Sequence, residues 1–261
     1  MKVKLGGLTL ITGAALLSLS LPAHGQYGPY TGPALHNGEG VTVQFTGGYQ
    51  AVDWGIGGVN AGAGIYSALI SPGIPVSPVN PAGIICDDFN DEIYTNETWG
   101  ATAYQVSTLG STTPITDVLF GGANSPAYAN IGVAGYAAIA YLVEELHNPG
   151  NTATQDGDIS AAIWSISDPG LTGVDANAAA LALQAKNYAS GDGYNMSQYS
   201  NLWVLTPILG DQPNGDGRPQ EMWIEVPEGG AALLYLLLAG GVCFGAMFLN
   251  RRNRFANFAS A

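Results

Sequence analysis

Nineteen consecutive residues without a charge, Ala231 to Leu249, run up to Arg251, Arg252 and Arg254. A helix over 231–249, rising about 1.5 Å per residue, reaches roughly 28 Å, close to the ~30 Å hydrocarbon thickness of a bilayer. No other stretch constrains the chain as strongly. It predicts a transmembrane helix over 231–249. The arginines stay cytoplasmic under the positive-inside rule, which puts everything before Val226 across the membrane and leaves 255–261 as a cytoplasmic tail.

The opposite end agrees. Lys2 and Lys4 precede a largely apolar run from Leu5 to Leu21, and Ala23-His24-Gly25 places small residues at both cleavage-determining positions. Residues 1–25 therefore read as a signal peptide for the Sec export machinery, with a retained N-terminal anchor as the alternative. Either way the chain is exported.

Between the two ends the charge is lopsided. Lys186 and Arg218 are the only basic side chains from Gln26 to Glu228, against twenty acidic residues that all fall between Glu39 and Glu228. A surface of that sign repels phosphate backbones and excludes nucleic acid as a partner. Cys243 sits in the apolar run and Cys86 stands alone in the exported part, so no internal disulfide can staple it.

Residues 26–40, rich in Gly and Pro, read as a flexible lead-in, followed by one domain over 41–225. Val41, Val43 and Phe45 alternate as one face of a half-buried strand. Further strands are expected at 65–70, 84–86 and 103–107, with Gly-rich turns at 55–64 and a proline-rich loop over 71–83. The period then changes. Tyr136, Ile139, Ala140, Val143 and Leu146 follow helical spacing up to Asn148-Pro149-Gly150. A shorter helix capped by Asp158 presents Ile159, Ala162, Ile163 and Ile166, and Asp175 caps a third that runs to about Ala189. Strands return at 202–205 and 222–226. This is an α+β fold: strands at both ends of one domain, a two- to three-helix segment inserted, and a C-terminal transmembrane helix.

The stretch Val226-Pro227-Glu228, the apolar run and the arginine cluster together resemble the PEP-CTERM sorting signals of Gram-negative exopolysaccharide producers. Gly229 stands where the commonest form has a second proline, and seven residues follow the last arginine. The resemblance covers 226–254 and implies an exosortase-like processing enzyme as partner. The tail is then either removed or kept as a membrane anchor.

A second resemblance rests on Ile85-Cys86-Asp87-Asp88-Phe89 in a strand and Ala162-Ile163-Trp164 in a helix. Over about 65–168 the chain is similar to thioester-domain-like modules of bacterial surface proteins, in which a Cys-x-Asp-Phe segment pairs with a helix reading Gln-x-Ala-Ile-Trp. The resemblance implies an internal cysteine–glutamine thioester at this place. Ser160 occupies the glutamine position and has no acyl carbon to offer. Cys86, Ser160 and Trp164 thus form a degenerate site, and Gln155, five residues before Ser160, is a poor substitute.

Other chemistries find weaker footing. A Cys86–His147 dyad has no local motif, and His36 lies in the lead-in. The acidic groups Asp87, Asp88, Asn90, Asp91 and Glu92, Asp156 with Asp158, and Asp211, Asn214 and Asp216 match no calcium-loop spacing and read as solvated loop carboxylates. No catalytic residue, metal ligand set or cofactor motif emerges. The expectation is a non-enzymatic cell-surface or exopolysaccharide-matrix protein, with exopolysaccharide as a further partner. The alternative is an extracellular polysaccharide-acting enzyme, which needs two carboxylates roughly 5–10 Å apart in a cleft.

Overall fold

The computed structural model describes residues 28–48, 51–56, 59–89, 93–122, 129–191, 194–208 and 219–227. The signal peptide over 1–25, Glu228, the helix expected over 231–249 and Arg251, Arg252 and Arg254 lie outside the described residues. Among the described residues no helix is long and apolar enough to cross a membrane.

Strands β1 (Glu39–Gly47), β2 (Ala51–Ile56), β3 (Val59–Ala63), β4 (Tyr66–Pro72), β5 (Asn80–Cys86) and β6 (Thr98–Gln105) come first. Helices α1 (Gly132–Leu146), α2 (Ala153–Ser167) and α3 (Ala176–Ala189) follow, then β7 (Leu202–Pro207) and β8 (Met222–Glu225). Six strands close a barrel in the order β1-β4-β5-β8-β7-β6, every pairing antiparallel. The expected α+β plan, with strand groups at the two ends of one domain, is therefore corrected. Strands from both halves of the chain join one closed sheet, because β8 inserts between β5 and β7.

Alternation explains the closure. Val41, Val43 and Phe45 from β1, Ala82, Ile84 and Cys86 from β5, and Met222 and Ile224 from β8 all belong to the core inside the barrel. The intervening residues Ile85, Val204 and Trp223 face outward and bury against α1 and α2. Each large apolar side chain so buried contributes about 1.5–3 kcal/mol before conformational entropy is counted. Both faces of β5, β7 and β8 are thus covered, which is why these strands read as continuous apolar runs.

The whole helical segment is an excursion from the β6–β7 pair, whose strands are adjacent in the sheet. α2 starts earlier than expected. Thr152 is its N-cap and forms a capping box with Gln155, which places Asp158 inside the helix. Asp175 caps α3 through the Ala178 N–H at 2.8 Å.

Three further corrections concern segments read as loop. The Gly-rich stretch holds the ribbon β2–β3, which lies against α2. Pro72 and Pro81 fall within β4 and β5. The lead-in packs on the barrel: Tyr30 is 1% exposed, its N–H bonds the Glu225 carbonyl at 2.7 Å, and the Gly83 N–H bonds the Gly28 carbonyl at 2.9 Å.

Candidate functional site

β5 ends at Cys86, and the chain beyond it is strapped down carbonyl by carbonyl. Trp164 Nε1 donates to the Cys86 carbonyl at 3.0 Å, the Ser167 hydroxyl donates to the Asp87 carbonyl, and Gln220 Nε2 donates to the Asp88 carbonyl at 2.9 Å. The Phe89 ring tilts against Trp164, centroids 5.4 Å apart. Buried carbonyls are costly unless a donor reaches them, and α2 supplies two of the three side-chain donors here.

The Cys86 thiol points into the barrel. It donates to the Asp88 carbonyl at 2.9 Å and accepts from the Asp88 N–H at 3.3 Å. Burial pushes its pKa well up, and the charges of Asp88 and Asp87 push the same way. A buried thiol kept protonated is a weak nucleophile, because the thiolate is the reactive form.

Cys86 and Trp164 are therefore in contact, while Ser160 is used elsewhere. The Ser160 hydroxyl donates to the Asp156 carbonyl and accepts from the Gly64 N–H, both at 2.9 Å. Gly64 takes φ +96° in the β3–β4 turn, where a side chain would be strained, and Ser160 ties that turn to α2. Gln155 is held in the capping box, its Oε1 accepting from the Thr152 N–H at 2.8 Å. His147 sits at the end of α1, its Nδ1 2.8 Å from the Val143 carbonyl and its Nε2 3.8 Å from Glu225.

The acidic residues depart most from expectation. Asp87, Asp88, Asp156 and Asp158, read as solvated, are all buried. Asn90, Asp91, Glu92, Asp211, Asn214 and Asp216 lie outside the described residues. Among the described residues no group of three His, Cys, Asp or Glu side chains is placed to hold a metal ion.

Asp87 belongs to a buried acid pair. β5 and β8 pair Ile84 with Ile224, Ile85 with Trp223 and Cys86 with Met222, so the next step sets Asp87 opposite Glu221. β7 pairs Leu205 with Met222, and its next step sets Thr206 beside Glu221 on the other flank. Glu221 accepts from Tyr136 Oη at 2.5 Å, Thr206 Oγ1 at 2.5 Å and the Leu119 N–H at 2.9 Å. Asp87 Oδ2 accepts from Trp223 Nε1 at 2.7 Å, and the Tyr136 and Trp223 rings stack at 5.9 Å. Burial and the Glu221 charge raise the Asp87 carboxyl well above its usual range. Glu221 is raised by burial but held back by its donors, so Asp87 is the one pushed up further.

The part that Glu221, Tyr136, Thr206 and Trp223 play in this cluster escaped the sequence reading, which placed Tyr136 only on a helix face. Their signal was an acid at the outward, helix-facing position just before an apolar strand, which gains meaning only once β5 is known to pair with β8. Chemically the arrangement is a latch. Its donors fix the junction of barrel and helices, and both carboxylates are sealed from solvent at 0% exposure.

No family model matches this chain, and neither the curated proteins nor the solved structures hold a significant match.

Proposed function

We propose that this is an exported, non-enzymatic cell-surface or exopolysaccharide-matrix protein that carries a C-terminal sorting signal and a degenerate thioester-like domain. The observation that carries this reading is the placement of the PEP-CTERM-like motif. β8 ends at Glu225, the Val226 N–H still bonds the Asn201 carbonyl at 2.8 Å, and Pro227 is exposed, so the motif begins where the barrel stops. A processing enzyme would meet it without unfolding the domain.

Among the described residues, the groups that could carry chemistry are closed off. Cys86 is a buried thiol, Ser160 is bonded on both sides, and the Asp87–Glu221 pair is closed to solvent. A hydrolase that used a carboxylate pair would have to bring it to the substrate.

The test is fractionation with intact-mass analysis in a host carrying an exosortase-like enzyme. The expected result is a surface or released chain that starts near Gln26 and has lost the segment after Pro227. Pro227→Ala with Glu228→Ala should accumulate the unprocessed form. A chain found in the cytoplasm with residues 1–25 intact would defeat the reading.

A further inference from the structure

The connection between β4 and β5, residues 73–79, holds one isoleucine, two valines and two prolines and carries no charge. Ile74 and Val76 are each 41% exposed and Val79 is 67% exposed, so three large apolar side chains face out of one short loop. No other loop among the described residues exposes more than one. Scattered apolar residues are ordinary on a protein surface, whereas a charge-free cluster of them marks a contact surface.

The loop backbone is tied back to the barrel. Thr42 Oγ1 donates to the Gly73 carbonyl at 2.9 Å and accepts from the Val76 N–H at 3.2 Å. Ser71 Oγ accepts from the Val79 N–H at 3.1 Å, and the Gly73 N–H donates to the Gly40 carbonyl at 2.7 Å. Pro75 and Pro78 have no N–H to satisfy. A loop that turns apolar side chains outward while most of its N–H groups are used inside suits a medium that offers few hydrogen bonds.

Topology sets this loop where the chain leaves the barrel. β5 and β8 are antiparallel, with Cys86 opposite Met222 and Ile84 opposite Ile224, so β8 runs toward the start of β5, which is the foot of the loop. Glu225 and Val226 therefore come out at the same end as residues 73–79. From Pro227 to Ala231, where the uncharged stretch begins, is four residues, a span of at most about 14 Å. Whatever medium holds 231–249 thus lies close to this end. Glu39 at the start of β1 and Glu225 at the end of β8 stand there too, and the loop brings no Lys or Arg, so a lipid surface without net charge fits it better than an anionic one. We propose that residues 73–79 dip into the interface of a zwitterionic bilayer, with Ile74, Val76 and Val79 among the headgroups, and seat the exit end of the barrel on the membrane. The presence of lipid at 231–249 rests on the sorting reading given above. The loop adds a second contact, which fixes the height at which Val226, Pro227 and Glu228 stand over the lipid.

The test places the full chain in phosphatidylcholine nanodiscs with an environment-sensitive dye on Val76→Cys, in a Cys243→Ala background where the other cysteine, Cys86, is buried. Thr95→Cys, exposed at the opposite end of the barrel just before β6, carries the comparison dye. A quencher attached to the lipid should dim the dye at 76 about twofold or more relative to the dye at 95. Adding Ile74→Asp and Val79→Asp changes exposed side chains only, so the melting midpoint should hold while the quenching at 76 falls to the level at 95. Equal quenching at the two positions in discs that hold the chain would overturn the loop contact and leave the sorting reading standing. A dye at 76 shielded from water but untouched by the lipid quencher would show that protein covers the loop, and stronger quenching in phosphatidylglycerol discs would overturn the choice of an uncharged surface. A chain that never enters the discs loses the lipid anchor and the loop contact together, whereas a chain quenched at 76 but found in the cytoplasm with residues 1–25 intact loses the export reading alone.

Discussion

Asp87 and Glu221 face each other one step beyond the last paired residues of β5 and β8, both out of contact with solvent. The Asp87 carboxyl is raised above its ordinary value of 3.8, so folding takes up a proton there that the unfolded chain releases at lower pH. The stability it lends is complete below about pH 4 and is lost as pH rises toward the folded value. Urea titrations from about pH 4 to pH 9 should show wild type weakening with pH more than Asp87→Asn, because the amide keeps a donor toward Glu221 and cannot ionise. Equal slopes for the two proteins would contradict a raised Asp87 carboxyl. Asp87→Ala instead strands Trp223 Nε1 and should cost about 1–3 kcal/mol.

Tyr136 donates to Glu221 and accepts from the Phe120 N–H at 3.0 Å. Tyr136→Phe keeps the stack on Trp223 but removes a hydrogen bond to a buried charge. A loss on the order of 2 kcal/mol in chemical denaturation is expected. A loss below about 0.5 kcal/mol would mean that Glu221 is adequately held by Thr206 and Leu119 alone.

Trp164 is 2% exposed, and its indole N–H holds the Cys86 carbonyl. Trp164→Ala should destabilise by roughly 3–5 kcal/mol, and Trp164→Phe by less, since most of the packing survives. The two melting midpoints, read against wild type, separate packing from the hydrogen bond. A variant that melts like wild type would remove Trp164 from the core.

The native Cys86 thiol should resist alkylation and react once the chain is unfolded. The intact mass of the exported domain should lack the one-ammonia deficit that an internal thioester leaves. Rapid labelling of folded protein, or such a deficit abolished by Cys86→Ala, would restore reactive chemistry to this site.

Local pattern carried a good part of this far. The alternation of Val41, Val43 and Phe45 marked β1, helical spacing marked α1, and Asp175 marked the start of α3. What escaped depends on contacts distant in sequence. β2–β3 was hidden because glycines supply no side-chain period, and α2 began early because Thr152 and Gln155 cap each other. Asp87 looked like loop because two acids in a row favour water. It is buried because Ser167, Trp223 and Glu221, all far along the chain, converge on it. The contact of Cys86 with Trp164 was expected from the resemblance to thioester-domain-like modules rather than from any local period.

The bonds from Tyr30 to Glu225 and from Gly83 to Gly28 place the entrance and exit of the domain side by side on the barrel. A folding unit with adjacent ends can be spliced into a loop of another protein, or have its ends joined and be reopened elsewhere, at little closure entropy, since that cost grows only as the logarithm of the connecting length. The exposed turn at Asn148-Pro149-Gly150, between α1 and α2, is a natural place to reopen it. Such a permuted chain would keep every barrel pairing while moving the free termini to the helical side.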